Sequence, residues 1–298
     1  MGRVMKWLGI ALGSVLILIV ISVGVVYAIS SRAISKTYTI TPAPLTISAD
    51  STSIARGRHL ATAVNQCLNC HGDNLAGKVF VDNPVMGRIY SANLTRGKGG
   101  ISGEYSDLDY VRAIRHGVGR DGKPLLAMPV DAFFHMSEAD LASVIAYLKT
   151  IPAVDAVVPP KKVGPLARAL YLATDFPLIP GENLPHDQPR PAEVPRGVTS
   201  EYGGYLATIG GCKSCHLADL NGGVPMEGAI LSANLTPTGI GKWTEADFVK
   251  AMRNGIRPDG RVLSAVMPWP YMRHMTDDEL RALWTYLRSL PPKDARGR

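Results

Sequence analysis

The pentapeptide CxxCH occurs twice, as Cys67-Leu68-Asn69-Cys70-His71 and Cys212-Lys213-Ser214-Cys215-His216, and the two copies use all four cysteines of the chain. Two thiols on one tight turn can each bond to a vinyl group of a single porphyrin, and the adjoining histidine then lies beneath the iron as its proximal ligand. The spacing is that of a c-type haem attachment site. A zinc site built from the same residues would have to tie two distant halves of the chain together, and a dithiol redox pair leaves the histidine without a role. Two covalently bound haem c groups are the working expectation, with Cys67, Cys70, Cys212 and Cys215 as attachment residues and His71 and His216 as iron ligands.

The surroundings of the motif repeat as well. Ser91-Ala92-Asn93-Leu94-Thr95, Ala113-Ile114-Arg115-His116-Gly117, Asp121-Gly122, Met128-Pro129, His135-Met136 and Tyr147-Leu148 follow the first copy. Ser232-Ala233-Asn234-Leu235-Thr236, Ala251-Met252-Arg253-Asn254-Gly255, Asp259-Gly260, Met267-Pro268, His274-Met275 and Tyr286-Leu287 follow the second in the same order. Such self-similarity marks a tandem duplication of one domain-sized unit.

Each unit reads as a small helical domain, so the fold class expected is mainly α. Ser106 with Asp109, Ser137 with Asp140, Thr244 with Asp247 and Thr276 with Glu279 match the capping-box pattern and predict four helix starts. Gly117 and Gly255 predict left-handed C-caps, and Pro152 and Pro291 follow the later helices. Residues 54–66 and 200–211 predict the helix leading into each attachment turn. No alternation of apolar residues predicts a sheet. The divisions expected are 1–32 as membrane anchor or signal peptide, 50–152 and 200–298 as the two haem-binding domains, and 153–199 as a proline-rich linker. The linker, stiff and extended apart from a short apolar run over 166–172, is expected to lie along the domains.

Residues 7–31 carry no charge, with Arg3 and Lys6 before them and Arg32 and Lys36 after. The twenty-two residues from Leu8 to Ile29 would extend roughly 33 Å as a helix, enough to cross a bilayer. A cleaved signal peptide is the alternative, but its apolar region is ordinarily about 7–15 residues. The expectation is a single-pass anchor in the cytoplasmic membrane. Covalent haem attachment outside the bacterial cytoplasm then puts both haem domains on the periplasmic face. Of the net charge of +7, four belong to Arg3, Lys6, Arg32 and Lys36, while residues 50–150 carry +1, 151–199 zero and 200–298 +2. The positives flank the apolar segment and suit anionic headgroups, with no basic stripe of the kind that binds nucleic acid.

The sixth iron ligand decides between carrying electrons and binding small molecules. Met128 and Met267 each precede a proline and follow their histidines by 57 and 51 residues, and thioether ligation closes the iron. They are the expected partners of His71 and His216. The recurrent His135 and His274 keep bis-histidine ligation open as an alternative. Met136 and Met275 are expected in the core, Met86 and Met226 are possible decoys in the loop after the motif, and His59 and His116 are expected at the surface. Asn93 and Asn234 are candidates for a haem-side donor, with a local Asx turn as the equal alternative.

With these residues in place the chain resembles the class I cytochromes c, particularly the cytochrome subunits of bacterial membrane-bound alcohol and gluconate dehydrogenases. The resemblance rests on both CxxCH motifs, Asn93-Leu94-Thr95, Asn234-Leu235-Thr236-Pro237, Gly239 to Phe248, Met267-Pro268 and Tyr286 to Pro291. It implies two tandem cytochrome c domains, histidine–methionine ligation at both irons, and single-electron transfer without a catalytic residue. The redox partner it implies is a dehydrogenase, a terminal oxidase or a reaction centre. Those subunits resemble three haem units with a carboxy-terminal anchor, whereas this chain has two and an amino-terminal apolar segment. A dihaem peroxidase is the alternative from the enzyme class, and would need one open iron.

Overall fold

The apolar amino terminus forms a single helix, α1 (Gly2–Ser35), in a computed structural model that describes residues 2–225 and 231–296. Its most apolar stretch has a mean hydropathy of 2.7 and none of it is buried, so by length and composition it can cross a membrane.

The first repeat builds α2 (Ser51–His59), which continues into a π-type turn (Leu60–Val64), and then α3 (Cys67–His71), which carries the attachment motif. Strands β1 (Val79–Asn83) and β2 (Gly87–Tyr90) follow, then α4 (Asp107–His116), α5 (Val130–Phe133) and α6 (Glu138–Leu148). The intervening segment holds β3 (Lys162–Val163) and α7 (Pro165–Ala173). The second repeat gives α8 (Ser200–Ile209), α9 (Cys212–His216), α10 (Pro237–Ile240), α11 (Glu245–Asn254), α12 (Trp269–Met272) and α13 (Asp277–Ser289).

In each unit the first helix crosses the last at a glycine. A Cβ on Gly57 of α2 would collide with the Ser143 carbonyl oxygen in α6, and one on Gly203 of α8 with the Ala282 carbonyl in α13. Backbone therefore meets backbone at both crossings, and Leu60, Tyr110, Leu141 and Ile145 in one unit and Leu206, Leu280 and Leu283 in the other close the core around them. Ten residues separate Gly57 from Cys67 but nine separate Gly203 from Cys212. The π-type turn absorbs the extra residue: the Asn65 amide donates to the Leu60 carbonyl at 2.7 Å, an i→i−5 bond.

Ser106, Thr244 and Thr276 form complete capping boxes with Asp109, Asp247 and Glu279. Ser137 caps the Asp140 amide, but the return bond to Asp140 is absent: the Ser137 amide donates to Tyr205 of the other unit, and the carboxylate accepts from Arg56 and Tyr205. Gly117 (φ 68°) and Gly255 (φ 69°) adopt the expected left-handed C-caps.

The sequence predicts no sheet, yet β1 and β2 pair as an antiparallel hairpin that β3 extends. Val79, Phe80, Val81, Ile89 and Tyr90 are good strand formers, but each run is too short to alternate visibly. The Asn83 side chain fixes the turn by accepting from the amides of Val85 and Met86 at 2.9 and 3.0 Å. The proline-rich segment is not extended throughout either: its apolar run is α7, started by Pro165 at the first turn. The remainder lies along the first unit. The Ala127 amide donates to Leu178, and the Glu138 and Ala139 amides at the start of α6 donate to Pro191 and Ala192.

The units pack directly on each other. The His59 imidazole Nε2–H donates to Glu279 at 2.7 Å, and Arg56 reaches Glu279 at 3.2 Å while gripping Asp140 with two nitrogens at 2.9 and 3.1 Å. From the other side, Tyr205 donates to Asp140 at 2.7 Å. His59 and Tyr205 each stand two residues after their unit's crossing glycine, and Glu279 and Asp140 each stand three after an N-cap, so the two contacts mirror one another.

Candidate haem sites

The attachment turn of the first unit opens onto an apolar cavity. Cys67, Cys70, His71, Met128 and Pro129 all line it, with Phe80, Ile89 and Tyr90 from the hairpin and Tyr105, Ile114, Phe133 and Leu148 completing the wall. The sequence-predicted ligand pair His71 and Met128 is thus brought to one cavity, and His135 is exposed and outside it. Met136 is buried as expected and also reaches the wall.

The histidines are set for metal binding by the backbone. His71 Nδ1 lies 2.8 Å from the Ala92 carbonyl and His216 Nδ1 lies 2.7 Å from the Ala233 carbonyl. A carbonyl only accepts, so Nδ1 carries the proton in both rings and Nε2 keeps its lone pair for a metal. Burial holds both imidazoles below their ordinary pKa, which keeps them neutral. Burial also pushes the Cys67 thiol up to about 12 and the Cys212 thiol up to about 11. A dithiol redox pair needs a lowered thiol, so these cysteines are poor exchange nucleophiles.

Asn93 is not among the residues lining the cavity, and both asparagines form the local Asx turn. Asn93 is fully buried; its Oδ1 accepts from the Thr95 amide at 2.9 Å, and its Nδ2 donates to the Val154 and Ala156 carbonyls at 2.8 and 3.2 Å. Asn234 accepts from the Thr236 amide at 2.9 Å and donates to the Lys293 carbonyl at 2.7 Å. Each clamps the segment whose preceding residue, Ala92 or Ala233, accepts from the histidine of the motif. In each unit the amide nitrogen is spent on the segment that follows the last helix.

In the second unit the turn after the methionine repeats that of the first: Trp269 N–H donates to Met267 and Val130 N–H donates to Met128, at 2.8 and 2.7 Å. Met267 packs partly buried against the core, and Met275 is buried. Met226 lies outside the described residues. Met86 belongs to the hairpin turn, where its carbonyl takes the Gly164 amide.

Two histidines expected at the surface are not there. His59 joins the interface, and His116 is buried against His186 of the intervening segment, Nδ1 to Nδ1 at 3.0 Å. Sequence reasoning also missed Lys161, which the intervening segment brings to the cavity. The orienting carbonyls of Ala92 and Ala233 had a signal in the repeated Ser-Ala-Asn-Leu-Thr, but it was read through the asparagine alone.

The residues present fit a c-type haem: paired cysteines on a helical turn, a neutral histidine with its Nε2 free, an apolar slot and a methionine on its wall. The cytochrome c family model matches residues 54–152 and 201–291. The fructose dehydrogenase cytochrome subunit of Gluconobacter japonicus is 30% identical over 281 residues, covering 85% of this chain and 56% of that protein. The cytochrome c subunit of the quinone alcohol dehydrogenase of Gluconobacter oxydans is also 30% identical, covering 82% and 56%, and the gluconate 2-dehydrogenase cytochrome c subunit of Pantoea cypripedii is 28% identical, covering 81% and 60%. The chain thus spans little more than half the length of these relatives. The repeat, the two attachment turns and both family matches carry one conclusion: the chain belongs to the cytochrome c family and holds haem c covalently.

Proposed function

We propose that the protein is a membrane-tethered dihaem cytochrome that accepts single electrons from a dehydrogenase of small hydroxylated substrates and passes them on through its two units. The first haem is held by Cys67 and Cys70 with His71 and Met128 as axial ligands, the second by Cys212 and Cys215 with His216 and Met267. A haem closed on both faces supplies a one-electron couple and no open iron for substrate. The chain's part is to fix the two sites, keep them dry and hold them close. The anchor is α1, and both haem units lie on the periplasmic side.

The observation that carries this reading is the contact between the two attachment turns. Asn65, two residues before Cys67, donates from Nδ2 to the Ile209 carbonyl at 3.0 Å, and Gln66 donates from Nε2 to Gly210, two residues before Cys212, at 3.3 Å. Ser214, inside the second motif, donates to Asp131 at 3.0 Å, three residues after Met128. Each unit thereby supports the other's attachment turn. The donor class rests on the relatives above, all of them cytochrome subunits of dehydrogenases.

Pulse reduction of the oxidised holoprotein tests it. A fast second-order phase followed by a phase whose rate is independent of protein concentration is expected, as electrons equilibrate between the units. Second-order kinetics alone would contradict internal transfer.

A further inference from the structure

Helix α7 turns an uncharged, apolar face outward. At 3.6 residues per turn Pro165, Leu166, Ala169, Leu172 and Ala173 fall within about 120° of arc. Leu166 is 43% exposed and Leu172 38%. The apolar surface continues onto the hairpin turn, where the Leu166 amide donates to the Val85 carbonyl at 3.0 Å and Val85 is itself 49% exposed. A surface helix of a water-soluble domain has the opposite pattern, with its polar face outward.

The only charged residue of α7 ties it to the end of the anchor. Arg168 donates to the Ser30 and Ser31 hydroxyls at 2.8 and 2.9 Å and lies over the Tyr27 ring at 4.7 Å. These contacts fall where the apolar stretch of α1 ends, just before Arg32. The first unit is fastened at the same level: Lys123 donates to the Ser35 carbonyl at 2.6 Å and to Thr37 at 2.8 Å. Lys123, Lys161, Lys162 and Arg168 surround a cavity of about 550 Å³ at Ile34, with Asp121 the one acidic side chain among its lining residues.

We propose that α7 and the Val85 turn lie in the interfacial layer of the bilayer that α1 spans, with anionic phospholipid headgroups meeting the lysine and arginine cluster beside them. The inference rests on the reading of α1 as a membrane anchor. Its grounds are the continuity of the apolar face with the end of the span and the charge around it, the combination by which interfacial helices hold a membrane surface. The first haem unit is then the one held against the membrane, and the second stands away from it.

The test places a nitroxide on Leu166→Cys and Leu172→Cys in the full-length holoprotein, whose own cysteines are bound to haem. The variants are reconstituted in phosphatidylethanolamine–phosphatidylglycerol vesicles and studied in the reduced, diamagnetic state. Ile17→Cys in mid-span and Val262→Cys on the second unit are the references. The oxygen-to-nickel-chelate accessibility ratio at both α7 positions should be several-fold above that at Val262 and below that at Ile17. Values equal to Val262, with Ile17 immersed, would overturn the interfacial placement alone. A water-like Ile17 would overturn it together with the anchor. Shielding in native membranes but not in lipid vesicles would assign the face to a protein partner and overturn it too.

Discussion

Tyr205 completes the N-terminus of a helix in the other unit. Its hydroxyl accepts the Ser137 amide at 3.1 Å and donates to Asp140 at 2.7 Å, taking the place that Asp140 would fill in an ordinary capping box. Asp140 is then free for the two-pronged bond to Arg56, whose guanidinium also reaches Glu279. Tyr205→Phe leaves the Ser137 amide and one carboxylate oxygen without this partner. A loss of about 1–2 kcal/mol is expected, read as a lower Tm, and a cycle with His59→Ala should show the two mirrored contacts to be coupled.

The helix crossings give the most severe prediction. Gly57→Ala drives a methyl group into the Ser143 carbonyl and Gly203→Ala drives one into Ala282. Each should cost ~3 kcal/mol or more, since neither backbone can withdraw without opening the core. Thermal unfolding of the purified holoprotein checks this, and alanine at the uncrowded Gly103 should leave Tm nearly unchanged.

Asn93→Ala removes three hydrogen bonds but no residue of the cavity wall. The Ala92 carbonyl loses its clamp, and with it the orientation of His71. The expected result is a stability loss of about 1–3 kcal/mol together with a shifted midpoint potential for one haem only. Potentiometric titration distinguishes this from a uniform structural effect, which would move both.

Acid should loosen the intervening segment before it unfolds the domains. Burial, and then His186, push His116 down to about 4. A histidine lowered on folding binds its proton more readily when unfolded, so its contribution is complete above the unfolded value of 6.5 and declines as the pH falls from there toward about 4. Amide exchange over residues 181–192 should accelerate in that window, and His116→Gln should flatten the dependence.

Glu279 gives the interface an acid sensitivity of its own. Burial alone would raise its carboxyl, but the bonds from His59 and the Thr276 amide and the charge of Arg56 hold it below its ordinary 4.5. Its contribution is present above that value and is lost as the pH falls through the lower folded value. Separation of the units, seen as an increased radius in small-angle scattering, is expected on that more acidic limb.

The duplicated helices, their caps and the attachment turns were legible because each is encoded locally: a cap needs two residues, an attachment turn five. What escaped reading depends on distant partners. No local pattern announces that Val154 and Ala156 take the Asn93 amide, and His59 looks like a surface residue until Glu279 arrives from the other repeat. The hairpin was missed because runs as short as Val79–Val81 and Ile89–Tyr90 do not establish a period. The α7 helix was visible only as a short apolar run, since its significance lies in which face is left uncovered.

Carbon monoxide binding to the dithionite-reduced holoprotein tests whether histidine and methionine close both irons. No spectral change is expected for the unaltered protein, while Met128→Ala and Met267→Ala should each open one haem to the ligand and leave the other untouched. Binding by the unaltered protein would mean that at least one iron has a free or labile sixth position, against histidine–methionine closure of both.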